Sequence, residues 1–274
     1  QYMFHVPFDP DKNAKIEGDD RKQAGLNEPW WKWHDSLTRF EGPIAHALDH
    51  HFHDRFVLDG GDDYEHLSDE MLDETSTGAG FELQHAECIS NEPDDKPNPV
   101  RALYLRLIGE ATRSIFIENP YLYHPRLVDA LCEAKKMRPE LDVVLMLPSP
   151  EMNDNDFGAD AQQYEYARYL ECGIVVYEYQ NHFNHLKMAV FDERHSIHGS
   201  TNGNCRSLED DKDFELVVYV DDGPLAKDVL ARVRDVDVTH AKRITMEQVH
   251  DGIGGFRIRH RDPRTLLLLS RCEL

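Results

Sequence analysis

From residue 100 onward, short apolar runs alternate with longer helical patterns, and this alternation limits the possible fold most strongly. Runs rich in β-branched and aromatic residues predict buried strands, whereas apolar residues three or four positions apart predict helices. Such an order is typical of an α/β domain, so we expect a mixed β-sheet flanked by helices on both faces. The strand patterns lie at 115–117, 143–147, 174–177, 186–191, 196–198 and 215–220, and the helical ones at 103–108, 127–131, 164–170 and 225–236.

The first 99 residues have a different texture. Residues 1 to about 30 are polar and punctuated by Gly and Pro, which predicts an extended loop. A helical stripe of Ile44, Leu48, Phe52 and Phe56 then recurs every four residues and predicts a helix with one buried face. Residues 59–99 are acidic and rich in Gly, Pro and Ser, and we interpret them as a long connector.

The charge of the chain excludes some functions. The 274 residues include 30 basic and 52 acidic side chains, for a formal net charge of −22. Such a surface argues against electrostatic binding of nucleic acid and against tight electrostatic docking on anionic lipid. No apolar run approaches the roughly 20 residues that span a bilayer, which predicts a soluble chain. Secretion and delivery as an effector both remain open.

The cysteines do not have the spacing of a zinc site. There are five, an odd number without a CxxC pair, so at least one thiol should be unpaired within the chain.

Residues 185–215 carry the chemistry. If 186–191 is a strand, His185 and Lys187 point to the same face, which pairs a proton-transfer group with a fixed positive charge. This combination suits a phosphate ester, whose oxygens gain negative charge in the transition state. Ser200 and Asn202 offer a hydroxyl and an amide for phosphate oxygens, and Glu215 could accept a hydrogen bond from the imidazole and set its tautomer.

This stretch resembles the HxKx4Dx6GSxN signature of the phospholipase D superfamily, with no departure in spacing. His185, Lys187, Asp192 and residues 199–202 occupy the signature positions. Asp192 is therefore among the candidate site residues. Its place seven residues after His185, on the opposite face of the predicted strand, favours a structural role in the following turn.

Two further segments extend the resemblance, which covers about residues 28–58 and 100–238. Residues 117–121 are similar to the family's IENQYF segment, with Pro120 and Leu122 as departures. Residues 33–35 and 41–43 are similar to the WHD…EGP segment that follows the first signature in plant-type and animal-type phospholipases D. The resemblance is thus to a plant or eukaryotic type of phospholipase D.

Family members build one active site from two signatures, and this chain contains the second. Residues 53–55, His-Asp-Arg, are the nearest candidate for the first, but they have Arg for Lys and the wrong spacing. We therefore expect the first signature on an upstream segment or a partner chain, with a homodimer as the alternative. The resemblance then divides the chain into a remnant of the N-terminal half at 1–58, an acidic connector at 59–99 and a C-terminal catalytic domain at 100–274.

The implied activity is that of a phospholipase D. Such enzymes hydrolyse the distal phosphodiester of a glycerophospholipid to phosphatidic acid and a free head group, through a phosphohistidine and without a metal or other cofactor. The resemblance makes His185 the general acid and later the base, with the nucleophile in the first signature. Lys187 and Asn202 would bind phosphate oxygens, Ser200 would assist, and Glu215 would orient His185. Transient contact with a membrane surface is also implied.

Two other functions stay open from the sequence. One is a nuclease or other phosphodiesterase of the same superfamily, and the other is a catalytically incomplete binding module.

Two aromatic and polar clusters have more than one interpretation. His46, His50, His51 and His53 could bind a metal or lie on the solvent side of a helix, and the solvent-facing interpretation is favoured. Trp30, Trp31 and Trp33 could form a lipid-facing patch or a buried anchor for the WHD turn, and the anchor is favoured.

Overall fold

The computed structural model describes residues 2–7, 33–66, 80–91, 97–153, 155–209, 213–251 and 272. Its strands are β1 (Tyr2–Pro7), β2 (Trp33–His34), β3 (Ser36–Glu41), β4 (Phe81–Glu82), β5 (His85–Asn91), β6 (Ser114–Glu118), β7 (Asp142–Pro148), β8 (Val175–Tyr179), β9 (Phe183–Asn184), β10 (Met188–Phe191), β11 (His195–Gly199), β12 (Glu215–Asp221) and β13 (Ala241–Arg243). Its α-helices are α1 (Pro43–Leu58), α2 (Pro99–Glu110), α3 (Pro125–Met137), α4 (Asp156–Glu171), α5 (Cys205–Leu208), α6 (Gly223–Val229), α7 (Asp235–Asp237) and α8 (Met246–Asp251). A π-helical turn (Leu230–Arg234) joins α6 to α7, and 3-10 turns lie at Pro150–Met152 and Val238–His240.

An eight-stranded mixed sheet organises these elements, in the order β13-β8-β7-β6-β10-β11-β12-β5. Strands β6, β7 and β8 run parallel, and the remaining neighbours are antiparallel. The parallel part is built by α3 and α4, which connect β6 to β7 and β7 to β8 as crossover helices. A three-stranded sheet, β3-β1-β4, and the parallel pair β2-β9 complete the described strands.

Alternate residues of the central strands enter two separate hydrophobic cores. Ile115 and Ile117 of β6 belong to one core and Phe116 to the other, as the two-residue period of a strand requires. The first core includes apolar side chains of α2, α3 and α4, and the second includes Ile44 of α1 and Leu225 of α6. The predicted fold, a mixed sheet with helices on both faces, is confirmed.

Polar side chains fix where several helices begin and end. Asn98 accepts a hydrogen bond from the N–H of Arg101 at the start of α2, and Asp222 accepts one from Leu225 at the start of α6. Each satisfies a backbone donor that the first helical turn leaves open. Gly173, at a φ of 79°, follows the end of α4, as expected for a helix stop.

The chain around His185 differs from the expected strand. Strand β10 begins at Met188, so His185 and Lys187 precede it and their orientations do not follow from strand alternation. The two residues before them form β9, which pairs in parallel with β2. The reason is tertiary, because the N–H of His185 donates to the carbonyl of His34 at 2.8 Å and not to a neighbour in the large sheet.

The segment expected to be a connector supplies part of the sheet. Strand β5 (His85–Asn91) lies at the edge and pairs along its whole length with β12, from Glu215 opposite Asn91 to Asp221 opposite His85. An edge strand with a solvent-facing side tolerates charged residues, so the acidic composition hid it. The irregular connector was therefore wrong for residues 85–91.

The buried stripe predicted for α1 holds only at its beginning. Ile44 is 2% exposed, but Phe52 is 62% and Phe56 is 43% exposed. The first turn of α1 enters the second core, and its later turns present these rings to solvent. A regular four-residue spacing identified the helix correctly and overestimated how much of it is covered.

Two disulfides and one free thiol account for the five cysteines. Cys132 pairs with Cys172, which joins α3 to the end of α4, and Cys205 pairs with Cys272. Cys88 is free, so the expectation of at least one unpaired thiol is confirmed. In the part of the chain that the structure describes, no helix has the length and apolar character to cross a membrane.

Candidate active site

The short β2-β9 pair places His185 next to residues that lie far away in sequence. Trp33 pairs with Phe183 and His34 with Asn184, so the chains leading to Asp35 and to His185 run side by side. The Trp33 ring stacks on the His185 imidazole with a centroid distance of 4.3 Å. This contact supports the anchoring interpretation of Trp33, whereas Trp30 and Trp31 lie outside the described residues.

Asp35 is the hydrogen-bond partner of the candidate catalytic histidine. The Nδ1–H of His185 donates to Oδ2 of Asp35 at 2.8 Å. Such a bond fixes the imidazole tautomer and orientation, and it leaves Nε2 as the nitrogen for exchange with substrate. The sequence places Asp35 in the WHD segment but gives it no role. Its position in that segment was the signal that could have identified it as a site residue.

Glu215 does not occupy the position expected of it. Its carboxylate accepts a hydrogen bond from the hydroxyl of Ser200, while His185 is paired with Asp35. Burial raises the pKa of Glu215 above its ordinary value, and the hydrogen bond from Ser200 and the charge of Lys187 act in the opposite direction. Glu215 begins β12, two strands away from β10 in the sheet, which separates it from the His185–Asp35 pair.

Lys187 lines a cleft next to the histidine. Its Nζ donates to the carbonyl oxygen of His185 at 2.6 Å, which keeps the ammonium at this end of β10. The cleft measures about 260 Å³, near the lower end for small-molecule sites. Its polar lining includes Asp35 and Lys187, and its apolar lining includes Phe40, Leu48, Met188, Leu216 and Val218.

Gly199 allows β11 and β12 to approach closely at the edge of this cleft. A Cβ at position 199 would lie 2.3 Å from the carbonyl oxygen of Leu216 and 2.7 Å from Cα of Val217, both backbone atoms that cannot move easily. The N–H of Ser200 then donates to the carbonyl of Leu216 at 3.0 Å. A glycine is therefore required where the signature has one.

Asn119 holds the loop that carries Asn202. Its Nδ2 donates to the carbonyl of Thr201 and its Oδ1 accepts from the N–H of Gly203, both at 3.0 Å. These two bonds fix the backbone on either side of Asn202. The Oδ1 of Asn202 is buried and has no hydrogen-bond partner among the described residues. The sequence contained Asn119 in the IENPY segment without indicating this contact.

Asp192 lies at the opposite end of β10 from Lys187. Its carboxylate accepts hydrogen bonds from the N–H groups of Thr112, Arg113 and Ser114 and from the hydroxyl of Thr112. Partial burial opposes ionisation, but these backbone donors outweigh it and lower the pKa of Asp192. Asp192 therefore fastens the start of β6 to the end of β10, which is a structural contact away from the cleft.

A family model described as the phospholipase D-like domain of cardiolipin synthases matches residues 104–236. The matched residues include His185, Lys187 and Asn202, and they extend from α2 to α7. This stretch is therefore similar to a phospholipase D-like domain.

Curated relatives of this chain include bacterial cardiolipin synthases. The major cardiolipin synthase ClsA of Bacillus subtilis is 27% identical over 231 residues, which cover 82% of this chain and 45% of the relative. A cardiolipin synthase of Staphylococcus aureus is 28% identical over 209 residues, covering 74% of this chain and 40% of the relative. The chain thus spans less than half the length of these relatives. They are of a bacterial type, so the plant-type affinity inferred from the WHD…EGP segment is not supported.

Two solved structures are also similar to this chain over part of its length. Nuc from Salmonella typhimurium, described as a phospholipase D family member, gives a TM-score of 0.49 at 20% identity and covers 58% of this chain and 97% of its own. Phosphatidylserine synthase from Haemophilus influenzae gives a TM-score of 0.49 at 15% identity, covering 58% of this chain and 39% of its own.

Among the described residues, two groups of side chains lie close enough together to be possible metal ligands. In the first, His124, Glu209 and Cys272 lie close together, but Cys272 is bonded to Cys205 and offers no thiolate. The second comprises His34, Glu118 and Asp237, of which His34 and Asp237 already share a hydrogen bond of 2.8 Å.

One histidine of α1 and one histidine beyond this helix each contact a carboxylate. His53 lies 2.7 Å from Asp63, and His66, beyond the helix, lies 2.8 Å from Asp49. The hydrogen bond to Asp63 raises the pKa of His53, with burial acting against it. The solvent-facing interpretation fits His50, which is exposed. It does not fit His53, whose side chain is 13% exposed and whose ring lies 4.3 Å from that of His66.

Proposed function

We propose that this chain supplies the second half of a phosphodiesterase active site. The complete site transfers the phosphatidyl group of a glycerophospholipid to an alcohol or to water. The observation that carries the proposal is the His185–Asp35 pair at 2.8 Å, next to a cleft lined by Lys187. A histidine held by a carboxylate is an acid–base catalyst, and an ammonium beside it stabilises charge on phosphate oxygens.

In the proposed reaction, His185 protonates the leaving alcohol while a histidine from the first signature forms a bond to phosphorus. The phosphohistidine then reacts with an acceptor whose proton passes to Nε2 of His185. Asp35 takes the orienting role that the sequence suggested for Glu215, and its charge stabilises the imidazolium formed in the second step. A preorganised carboxylate does this without rearranging during the reaction.

The remaining candidate residues bind the phosphate and support that binding. Lys187 supplies positive charge, and Asn202, held from both sides by Asn119, supplies an amide group for a phosphate oxygen. Glu215 anchors the Ser200 hydroxyl and faces the charge of Lys187. It thereby holds the ammonium group of Lys187 and the loop after β11 in fixed positions relative to each other.

The first signature is proposed to come from an upstream segment or a partner chain. The relatives are more than twice as long as the part that this chain matches, so they contain room for another half. In this scheme residues 1–58 belong to the N-terminal half, 100–274 form the C-terminal catalytic domain, and 59–99 join them, with β5 added to the C-terminal sheet.

An alcohol acceptor is favoured over water by the identity of the relatives. Cardiolipin synthases are transferases, and both compared relatives carry that name. Hydrolysis to phosphatidic acid uses the same phosphohistidine with water as the acceptor. The two activities therefore share every residue described above and differ in what enters the cleft after the head group leaves.

The test uses the complete protein, with the upstream segment, on vesicles of phosphatidylglycerol and of phosphatidylcholine with added glycerol. We expect phosphatidyl transfer to an alcohol, with phosphatidic acid as the minor product, and neither product from His185→Ala. Phosphatidic acid alone would assign hydrolysis, and turnover by His185→Ala above a few per cent of wild type would refute the role of this histidine.

A further inference from the structure

Four polar side chains, of which three are buried and one, His34, is partly buried, form an almost closed ring behind the His185–Asp35 pair. The Nε2–H of His34 donates to Oδ2 of Asp237 at 2.8 Å, and Nδ2 of Asn184 donates to Oε1 of Glu118 at 2.7 Å. His34 and Asn184 are themselves paired in the β2-β9 ladder. Glu118 and Asn184 are fully buried, and Asp237 is 3% exposed.

Between Glu118 and Asp237, the ring has no hydrogen-bond donor among the described residues. The Oε2 atom of Glu118 is buried and has no hydrogen-bond partner among the described residues. One ring nitrogen of His34 and one carboxylate oxygen each of Glu118 and Asp237 all lie within 4.8 Å of one another, so the two carboxyl groups are close together. Two ionised carboxylates at this separation inside a protein repel strongly, and one of them normally retains a proton.

The groups packed around the two carboxyls favour the protonated form. Burial and the nearby Asp237 raise the pKa of Glu118 well above its ordinary value, against the hydrogen bond from Asn184. From β8, the Tyr179 ring stacks on His34 at a centroid distance of 4.5 Å, and burial followed by the charges of Asp237 and Glu118 raises the pKa of its phenol. Asn184 faces Glu118 as a neutral group, and His34 already donates to Asp237.

We propose that Glu118 and Asp237 share one proton, and that the closed ring is a positioning device for the His185–Asp35 pair. The proton on Oε2 of Glu118 is donated to Asp237, which also accepts from His34. His34 directly precedes Asp35, and Asn184 directly precedes His185. The ring therefore ties together the two chain segments that carry the pair, and its relevance to catalysis rests on the proposed function of His185.

A divalent cation is the competing occupant of this site. To bind one, Nε2 of His34 and Oδ2 of Asp237 would both have to give up the 2.8 Å hydrogen bond that joins them. One proton completes every hydrogen bond of the ring with no such exchange. Two carboxylates and one histidine nevertheless form a reasonable set of Zn²⁺ ligands, so Zn²⁺ is included in the test.

The variants for the test are Glu118→Gln and Glu118→Ala in the complete protein. A glutamine amide can donate to Asp237 and accept from Asn184, so it reproduces the protonated carboxyl without titrating. Alanine removes both contacts and leaves Asp237 without this neighbour. Comparison of the two variants therefore shows whether the hydrogen bonds of Glu118 matter, because glutamine keeps them and alanine does not. The glutamine variant also lacks the carboxyl proton itself.

Infrared spectroscopy reads the proton directly and needs no enzymatic activity. Because burial raises the pKa of Glu178 to about 7, the band is read in the difference spectrum between the wild type and Glu118→Gln at pH 7. We expect this difference to contain the C=O stretch of a protonated carboxylic acid. Absence of this band from the difference spectrum would overturn the shared proton. Loss of the band on adding Zn²⁺ at stoichiometric concentration would assign the site to a cation and would likewise overturn it.

The positioning role is read from the Nδ1–H proton of His185 in spectra of ¹⁵N-histidine-labelled protein, assigned by its loss in His185→Ala. We expect this signal to persist in Glu118→Gln and to exchange with water at least tenfold faster in Glu118→Ala. We also expect kcat to follow the same order while KM changes little. Equal exchange rates in both variants would refute the positioning role, even if the enzyme proves to have another substrate.

Discussion

Asp35 and His185 are separated by 150 positions in sequence and lie 2.8 Å apart, Oδ2 to Nδ1. The parallel pairing of β2 with β9 creates this contact, because it sets the residues after the two strands side by side. The orienting carboxylate of the candidate catalytic histidine thus comes from the segment that resembles the N-terminal half. Residues 33–35 therefore contact the residues around His185 directly within this chain.

Replacing Asp35 should remove the orientation of His185. We expect Asp35→Asn in the complete protein to lower kcat by about 10²–10⁴-fold, the usual contribution of positioned acid–base catalysis. Asp63→Asn is the matched control, because Asp63 is an exposed carboxylate that contacts another histidine, His53, at 2.7 Å. A wild-type kcat for Asp35→Asn, or an equal loss in both variants, would contradict the role of Asp35.

Removing the charge of Lys187 should weaken stabilisation of the phosphate oxygens. We expect Lys187→Met to reduce kcat by about 10²–10³-fold, comparable with the loss of one oxyanion-binding group. Steady-state kinetics on vesicles would measure it, with Lys227→Met, an exposed lysine of α6, as the control. An unchanged kcat with a raised KM would show that Lys187 binds substrate without acting in the transition state.

Asn119 should act on catalysis through the loop that it holds. Asn119→Ala removes two buried hydrogen bonds, to the carbonyl of Thr201 and from the N–H of Gly203, and a third, partly buried one from the N–H of Tyr121. We expect the free energy of unfolding to fall by about 1–3 kcal/mol, because these backbone groups lose their partner. A further loss of about 10²-fold in kcat is expected from misplacing Asn202. Unfolding in urea and kinetics at a permissive temperature separate the two effects; full activity of the folded variant would rule out the second.

Asp192 should affect stability and leave the chemistry intact. Loss of its hydrogen bonds to the start of β6 in Asp192→Ala should lower the free energy of unfolding by about 1–3 kcal/mol. Since the folded-state pKa of Asp192 is lowered, its contribution is present above the pKa of the unfolded chain and disappears as the pH falls. The variant and the wild type should therefore converge in acid. Asp142→Ala, at an exposed position of β7, is the control. A large drop in kcat for folded Asp192→Ala would return Asp192 to the active site.

The layered fold could be predicted from sequence because each central strand is a short apolar run. Ile115–Ile117 and 143–147 are buried on both faces, so their composition alone identified them. Strand β5 could not be found in this way, since it mixes small, polar and apolar residues and lies within an acidic stretch. The exposed end of α1 was missed for a related reason, because periodicity does not reveal how far a helix stays in contact with its neighbour.

The candidate site was predictable as a set of residue types and not as a set of contacts. Spacing identified His185, Lys187 and Asn202, but the partner of His185 depends on the pairing of β2 with β9. Strands of two residues are too short to leave a recognisable pattern in the sequence. The sequence suggested Glu215 as this partner, and the structure shows Asp35 in that position. The Glu118–Asp237 contact is a similar case, because only the fold brings β6 and α7 together.

Release of the head group by the complete protein is the most direct test of the central proposal. Choline release from phosphatidylcholine vesicles would be compared for the wild type, His185→Ala and His85→Ala. His85 is an exposed residue of β5 that contacts Glu87 away from the cleft. We expect release by the wild type and by His85→Ala, and a loss of at least a hundredfold in His185→Ala with the fold intact. Release by His185→Ala at the wild-type rate would contradict the assignment of this histidine as the acid–base catalyst.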